Sequence, residues 1–427
     1  MNRIIIIISC IVLLISKTYG QTQFSQPDLL KESESMAITT IGEFSVNSTA
    51  LSNKLYNSFL FGNYIEQSSK DRISSHLSQY NLMGMDLNYG IFFSQRLDSM
   101  CDGSLSYFIK MANRMHVDAT FTQDFFNLGL YGNKMYAGDT ALLANTELSS
   151  VTYQQILIGL AGKNKNNSLW GVGASFLKGQ SYFHTHLERA NLYTSPTGEF
   201  IDLDLKMSMV QSDTAQNTWN TMNGCGFSTD LFYEIPYDLL GSEPDSANSS
   251  GWTGYLRMEI NDLGFINWNN NTMNYLSDTS YHFEGIYFDN VLELNDSVLS
   301  RMTDSVADTY LPSVRNGSFT SLLPTWLHFS MYQENAAGYS LSMGAYMRLL
   351  ANYSPGVYMK VGRTFNEKYK LSGLVEFGGY GKINLGWDLT ADWNGFKMAL
   401  GTRNMLAWII PEYTRGNSLY ISLTKEL

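Results

Sequence analysis

The chain has 427 residues, and 28 Lys and Arg stand against 39 Asp and Glu, for a formal net charge of −11. Such an acidic chain, with no basic cluster, is excluded as a nucleic-acid binder. Aromatics reach 14% while charged residues are only 16%, where a soluble domain carries about a quarter; a surface facing lipid must carry little charge, and its rims are girdled by aromatics.

The first element in chain order is a secretory signal peptide. Arg3 supplies the positive start, Ile4 to Ile15 an apolar run broken only by Ser9 and Cys10, and Thr18-Tyr19-Gly20 a small-residue cleavage site. Residues 1–20 are therefore expected to be removed, leaving a net charge of −13 from 26 basic and 39 acidic residues. A lipoprotein site at Ile7-Ile8-Ser9-Cys10 is the rival reading, but it would split the apolar run instead of following it. Of the two later cysteines, Cys101 and Cys225, the spacing says nothing about pairing. Gln21 to Met36 is polar, carries Pro27, and is read as a periplasmic tail or a luminal plug.

From residue 37 onward the chain alternates apolar and polar residues, the period of a strand with two unlike faces. Met83, Met85, Leu87, Tyr89, Ile91 and Phe93 alternate with Asp86, Asn88 and Gly90. Ile201, Leu203, Leu205, Met207 and Met209 alternate with Asp202, Asp204, Lys206 and Ser208. Trp252 to Ile260 sets Leu256 and Met258 against Arg257 and Glu259. Tyr339 to Tyr353 sets Leu341, Met343, Ala345 and Met347 against Ser340, Ser342, Tyr346 and Arg348. Ile383, Leu385, Trp387 and Leu389 alternate with Asn384, Gly386, Asp388 and Thr390. The final strand, Ser418 to Leu427, places Leu419, Ile421 and Leu423 together. Charges in mid-strand on the polar face, and runs longer than the ordinary five or six residues, point to a transmembrane antiparallel up-and-down barrel of about 14 strands. The closing turns are Tyr353-Ser354-Pro355-Gly356, Asn366-Glu367-Lys368, Gly378-Gly379 and Asp392-Trp393-Asn394-Gly395, a meander of hairpins.

Residues 37–427 are thus expected to form the barrel, with a long irregular insertion at about 262–317. Within it, Asn295 to Tyr310 reads as a short helix capped by Asp296, with Val298, Met302, Val306 and Tyr310 in one stripe. The segments Gln180 to Pro196 and Gly241 to Gly251 read as long loops.

Three stretches carry a resemblance. Phe126-Asn127-Leu128-Gly129-Leu130-Tyr131-Gly132-Asn133 is followed by Ala137-Gly138; Asn261-Asp262-Leu263-Gly264-Phe265-Ile266-Asn267-Trp268 is the second; the hairpins from Ser340, with Leu323-Pro324 upstream, are the third. With these the chain resembles Bacteroidota outer-membrane proteins that form a family of unknown function, similar in turn to long-chain fatty-acid transporter (FadL-like) barrels. The resemblance covers most of the mature chain. It implies a roughly 14-stranded barrel with an inner plug and passage of an apolar compound. It brings no ligand-contacting residue onto this sequence.

No GxSxG elbow, P-loop, HExxH or GxGxxG is present. Gly171-Val172-Gly173 opens a strand and is read as easing close backbone packing. His184, His186 and Glu188 share a face if extended and would suit zinc or copper, but alternation alone creates such triplets and a four-coordinate site needs more ligands. Asp202 and Asp204, with Lys206, are read as a hydrated lumen wall rather than an acid–base pair. No catalytic residue, metal site or cofactor is therefore assigned, and no enzyme is expected. The expected location is the cell outer membrane, the expected partners outer-membrane lipid and an apolar or amphiphilic small molecule. A structural or accessory barrel for secretion, surface anchoring or adhesion is the alternative. A barrel enzyme such as an outer-membrane lipase or protease is the third reading and stands lowest, since no triad supports it; a soluble secreted β-sandwich is the fourth, distinguished by solubility without detergent.

Overall fold

Alternation puts every second side chain on one side of a strand, and in the computed structural model of this protein the two sides become an inside and an outside. The structure describes residues 25–31, 36–62, 64–97, 105–214, 219–237, 252–284, 313–393 and 395–427. The expected signal peptide, the helix from Asn295 to Tyr310, the loop Gly241 to Gly251, and Cys101 lie outside the described residues.

Fourteen strands make the wall: β1 (Met36–Ser48), β2 (Tyr80–Arg96), β3 (Leu105–Thr122), β4 (Thr146–Lys163), β5 (Leu169–Thr194), β6 (Gly224–Tyr237), β7 (Trp252–Trp268), β8 (Trp326–Asn335), β9 (Tyr339–Arg348), β10 (Ser354–Phe365), β11 (Tyr369–Gly379), β12 (Ile383–Trp393), β13 (Phe396–Thr402) and β14 (Gly416–Glu426). Each pairs antiparallel with the next. The circle closes where β14 returns to β1, with Ala37 opposite Glu426 and Asn47 opposite Gly416. Closure leaves the wall, among the described residues, without an unpaired edge, the condition for crossing lipid with strands.

The outer face is apolar. Ile156, Ile158 and Leu160 of β4, Phe227 and Leu231 of β6, and Met359 and Val361 of β10 are all exposed. Their neighbours in sequence point inward and are buried although polar: Gln155, Asp230, Lys360. A soluble protein would reverse this arrangement. Glycine lets the inner rings lie flat on the wall: a Cβ on Gly171 would sit 2.1 Å from the Phe232 ring, its register partner on β6. The Gly171-Val172-Gly173 stretch is thus a close-packing feature.

The two ends differ. At the end that holds the chain terminus, β9 joins β8 through Gly338 at positive φ, and β11 joins β10 through Asn366 and Glu367, both at positive φ. At the other end sit α2 (Asn53–Phe61), α3 (Gln67–Ser74) and α4 (Gln123–Tyr131), while α1 (Gln26–Lys31) precedes β1. Phe126 of α4, Leu55, Ile73 and Phe121 form one apolar cluster there. Thr122 caps α4 by accepting from the Phe125 amide, and Gly132 ends it at φ 75°. The Phe126–Asn133 stretch is therefore this helix and its stop.

Four expectations change. Gln180 to Pro196 is mostly strand: β5 runs on past the wall and pairs its second half with Ile201–Gln211. That strand pairs with Met273–Phe283, which pairs with Ser313–Asn316. One side of this sheet is apolar, with Ala190, Leu192 and Leu205 packed together with Tyr136 and Leu143, so Ile201 to Met209 alternates as the wall strands do; within β5 the bulge between Leu187 and Arg189 breaks the alternation. The expected insertion at about 262–317 resolves, where described, into the end of β7, Met273–Phe283 and Ser313–Asn316, with the short strand Phe319–Leu322 just beyond it. Tyr353 to Gly356 is not a turn; β9 ends at Arg348, the chain turns with Leu350 at positive φ, and Ser354 already belongs to β10 with a bulge before Val357. Asp202 and Asp204 lie on the projecting sheet and not on the lumen wall.

Replacing Ile158, 62% exposed on the outer wall, with Arg should lower the unfolding free energy in lipid vesicles by about 2–4 kcal/mol. Denaturant titration in vesicles measures it; an unchanged midpoint would mean this face does not meet lipid.

Candidate functional site

The interior is a packed column, assembled from residues far apart in sequence. Near the terminal end, Phe92 of β2, Phe108 of β3, Leu157 and Ala161 of β4, and Phe232 of β6 form an apolar nest, and Leu29 of α1 fills it. Phe92 and Phe108 stack with ring centroids 5.6 Å apart.

Beside the nest, α1 is tied down by charge. Arg257 of β7 is buried and donates to Asp28 and Glu234, each at 2.5 Å, with Glu259 at 3.5 Å. Ser25 donates to Glu259 at 2.7 Å and Gln26 to Asp230 at 2.5 Å. The sequence placed Arg257 and Glu259 on one polar face; the partner of Arg257, Asp28, 229 residues away, leaves no local signal.

The middle of the lumen is closed by a second set. Arg348 donates to Asp86 at 2.7 Å and also contacts His116. His116 lies 2.9 Å from Asp86 and 3.1 Å from the Tyr380 hydroxyl. Arg348 packs over the Trp326 ring at 5.4 Å. Arg114 pairs with Asp262 at 2.5 Å and Arg403 with Glu43 at 2.9 Å. The space left among these groups is about 20 Å³, room for one water. Asp262 reaches Arg114 because its backbone sits at φ 60°, a conformation that Asp tolerates better than most residues. There β7 bulges and exchanges its neighbour, from Trp326–Asn335 to Phe319–Leu322. The Asn261-Asp262 dipeptide is the sequence signal for that kink.

Other residues singled out from sequence fall elsewhere. His184 and His186 both approach Glu147, at 3.9 and 3.6 Å. A bulge between Leu187 and Arg189 breaks the alternation, and Glu188 pairs with Lys206 instead, at 2.7 Å. No metal-binding group of three forms among the described residues. Asp204 pairs with Arg189 at 2.7 Å and Asp202 with His282 at 2.5 Å, both on the exposed sheet. Cys225 is exposed on β6.

At the loop end, Glu412 accepts from Lys54 of α2 at 2.6 Å and from Arg72 of α3 at 2.9 Å. The hydrogen bonds from Lys54 and then Arg72 hold its carboxyl down to about 2, from an ordinary 4.5.

A family model, "Family of unknown function (DUF5723)", matches residues 35–402. No curated protein matches the sequence. Among solved structures, a TodX deltaS2S3 mutant monoaromatic hydrocarbon channel is similar at TM-score 0.48 and 8% identity, over 97% of this chain and 96% of that one. A Pseudomonas aeruginosa FadL homologue is similar at 0.43 and 8%, over 92% and 90%. The translocator domain of the autotransporter NalP from Neisseria meningitidis is similar at 0.36 and 6%, over 94% and 92%. Likeness at this level is one of barrel outline.

Arg257→Met should cost about 3–5 kcal/mol, because it strands Asp28, Glu234 and Glu259 in the interior; thermal unfolding in detergent measures it, and a loss below 1 kcal/mol would mean that water reaches these groups. For Glu412 the sign follows from a depressed pKa: the tether is present above about pH 4.5 and lost as pH falls through about 2. Protection against hydrogen exchange at α2 and α3, taken relative to the intrinsic amide rate at each pH, should therefore fall between pH 5 and pH 2, and Glu412→Gln should show the lower protection already at pH 5.

Proposed function

Taking as premise that the chain belongs to the DUF5723 family of unknown function, we propose that it is an outer-membrane β-barrel that holds or passes an apolar or amphiphilic small molecule, with its N-terminal segment as the plug. An export leader at residues 1–20 delivers it. The apolar outer wall calls for lipid, and the short turns at one end against helices at the other suit a periplasmic and an outer side.

The observation that carries the ligand reading is the nest under α1. Phe92, Phe108, Leu157 and Phe232 are buried apolar side chains on the inner face of the wall, and Leu29 occupies them as a ligand would. Withdrawal of α1 would uncover an apolar cradle. Charged pairs at mid-lumen oppose a water-filled pore, so free passage of ions is not part of this function.

A structural or accessory barrel is the second reading. The sheet of Ile201–Gln211, Met273–Phe283 and Ser313–Asn316 that rises from β5 favours it, since loops and projections carry binding in a barrel of this kind.

Recovery of the full chain in outer membranes, with a gel-mobility shift on boiling, is the expected result for the barrel. An apolar naphthylamine dye should then enter proteoliposomes faster than protein-free vesicles, and Phe108→Asp should abolish the excess. A normal shift with no excess entry would leave the accessory barrel; a soluble chain with no shift would sink both.

A further inference from the structure

On the outer wall, where β2, β3, β4 and β5 lie side by side, there is a groove of about 530 Å³. Its floor toward the terminal end is apolar: Ile91, Met111, Ile156 and Phe176, all exposed. Its loop-end border is polar. Asn113, Gln154 and Lys178 are register neighbours across three strands, Asn113 opposite Gln154 and Gln154 opposite Lys178. Trp219, 68% exposed, lies over this border.

Two features there ask for an anion. The first is the Trp219 carbonyl, which accepts from Gln154 at 3.1 Å, Gln180 at 3.2 Å and Lys178 at 3.3 Å. A carbonyl has two lone pairs, so three donors leave a donor in surplus. The second is Lys178 itself. Its ammonium lies 6.0 Å from the Trp219 ring, and among the described residues no carboxylate stands within ion-pair distance. The residues just before Trp219, at 215–218, are Ala, Gln, Asn and Thr and bring no acid. A cation on the lipid-facing side of a barrel is costly, unless it stands at the headgroup level and meets a headgroup charge.

We propose that this groove binds one anionic lipid of the surrounding membrane. An acyl chain lies along Ile91, Met111, Ile156 and Phe176, and the phosphate rests on Lys178 with Gln154 and Gln180 donating to it. The order of the groove, apolar below and donors toward the loop end, matches a lipid of the leaflet on that side. The site rests on the reading of the wall as membrane-facing, but not on the ligand assigned to the lumen.

The test uses the full chain in vesicles of phosphatidylcholine carrying a small share of phosphatidylglycerol, followed by gentle detergent extraction and native mass spectrometry of retained lipid. The wild type should enrich phosphatidylglycerol about fivefold over its share, the factor of one lysine at a membrane surface. Lys178→Gln should bring the enrichment to unity, while Lys178→Arg keeps it; both should keep the heat-dependent gel shift. Equal retention of the two lipids by the inserted wild type, or an enrichment that survives Lys178→Gln, overturns the site alone. Displacement of the lipid by excess glycerol phosphate would show that the headgroup is bound without the chain and overturns it as well. Failure of the wild type to insert, seen as no gel shift, sinks the membrane reading and the lipid site together.

Discussion

The pairing of β1 with both β14 and β2 is the contact on which the rest depends. A sheet of fourteen strands with two open edges would present rows of unpaired amides and carbonyls, each costing several kcal/mol in hydrocarbon. Once the edges meet, side-chain parity becomes a sorting rule. One parity faces out and must be apolar; the other faces in and need not be. Ile383 and Asn384, adjacent in sequence, end up exposed and buried respectively for this reason alone.

Polar residues sent inward by that rule had then to find partners. The wall turns Arg257, Arg348, Arg114 and Arg403 into one enclosed space, and each meets a carboxylate there. Buried pairs contribute little net stability against a well-packed apolar core, but breaking one is expensive. The consequence is a lumen that is specific rather than merely filled: α1 fits because Asp28 and Ser25 match Arg257 and Glu259. Its apolar side chains at the nest, Leu29 within it and Leu30 packed against it, are the part that a ligand could replace.

Much of the wall was legible. Period-two alternation located β2, β7, β9, β12 and β14, because each has lipid on one side and lumen on the other, and the two environments select opposite residues. The turn at Asn366-Glu367 was legible because its residues are polar and Asn366 tolerates positive φ. In the second half of β5 a bulge between Leu187 and Arg189 shifts the alternation by one residue, so His184 to Arg189 read as a loop although the strand continues. The candidate site was half legible. Arg257, Arg348 and Asp388 stood out as charges in mid-strand, but who meets whom depends on how far around the barrel each strand lies. Lys178 drew no attention at all: its strand neighbours are apolar, and only the bulge at Gln180 and the return of the chain at Trp219 give it a setting.

β5 is 26 residues long, about 85 Å if fully extended, while crossing the hydrocarbon takes a tilted strand only about 9–11 residues. The surplus is not a separate piece. One unbroken backbone runs from the embedded wall to the tip of the projecting sheet, laddered to its neighbours nearly throughout. Pulled along its axis, such a strand loads many hydrogen bonds together in shear instead of opening them one at a time like a zipper. The projection is therefore a mast stepped into the hull of the barrel. A tug at its tip near Thr194 would be borne first by the elbows at Gln180 and Glu188, where the ladder skips a residue.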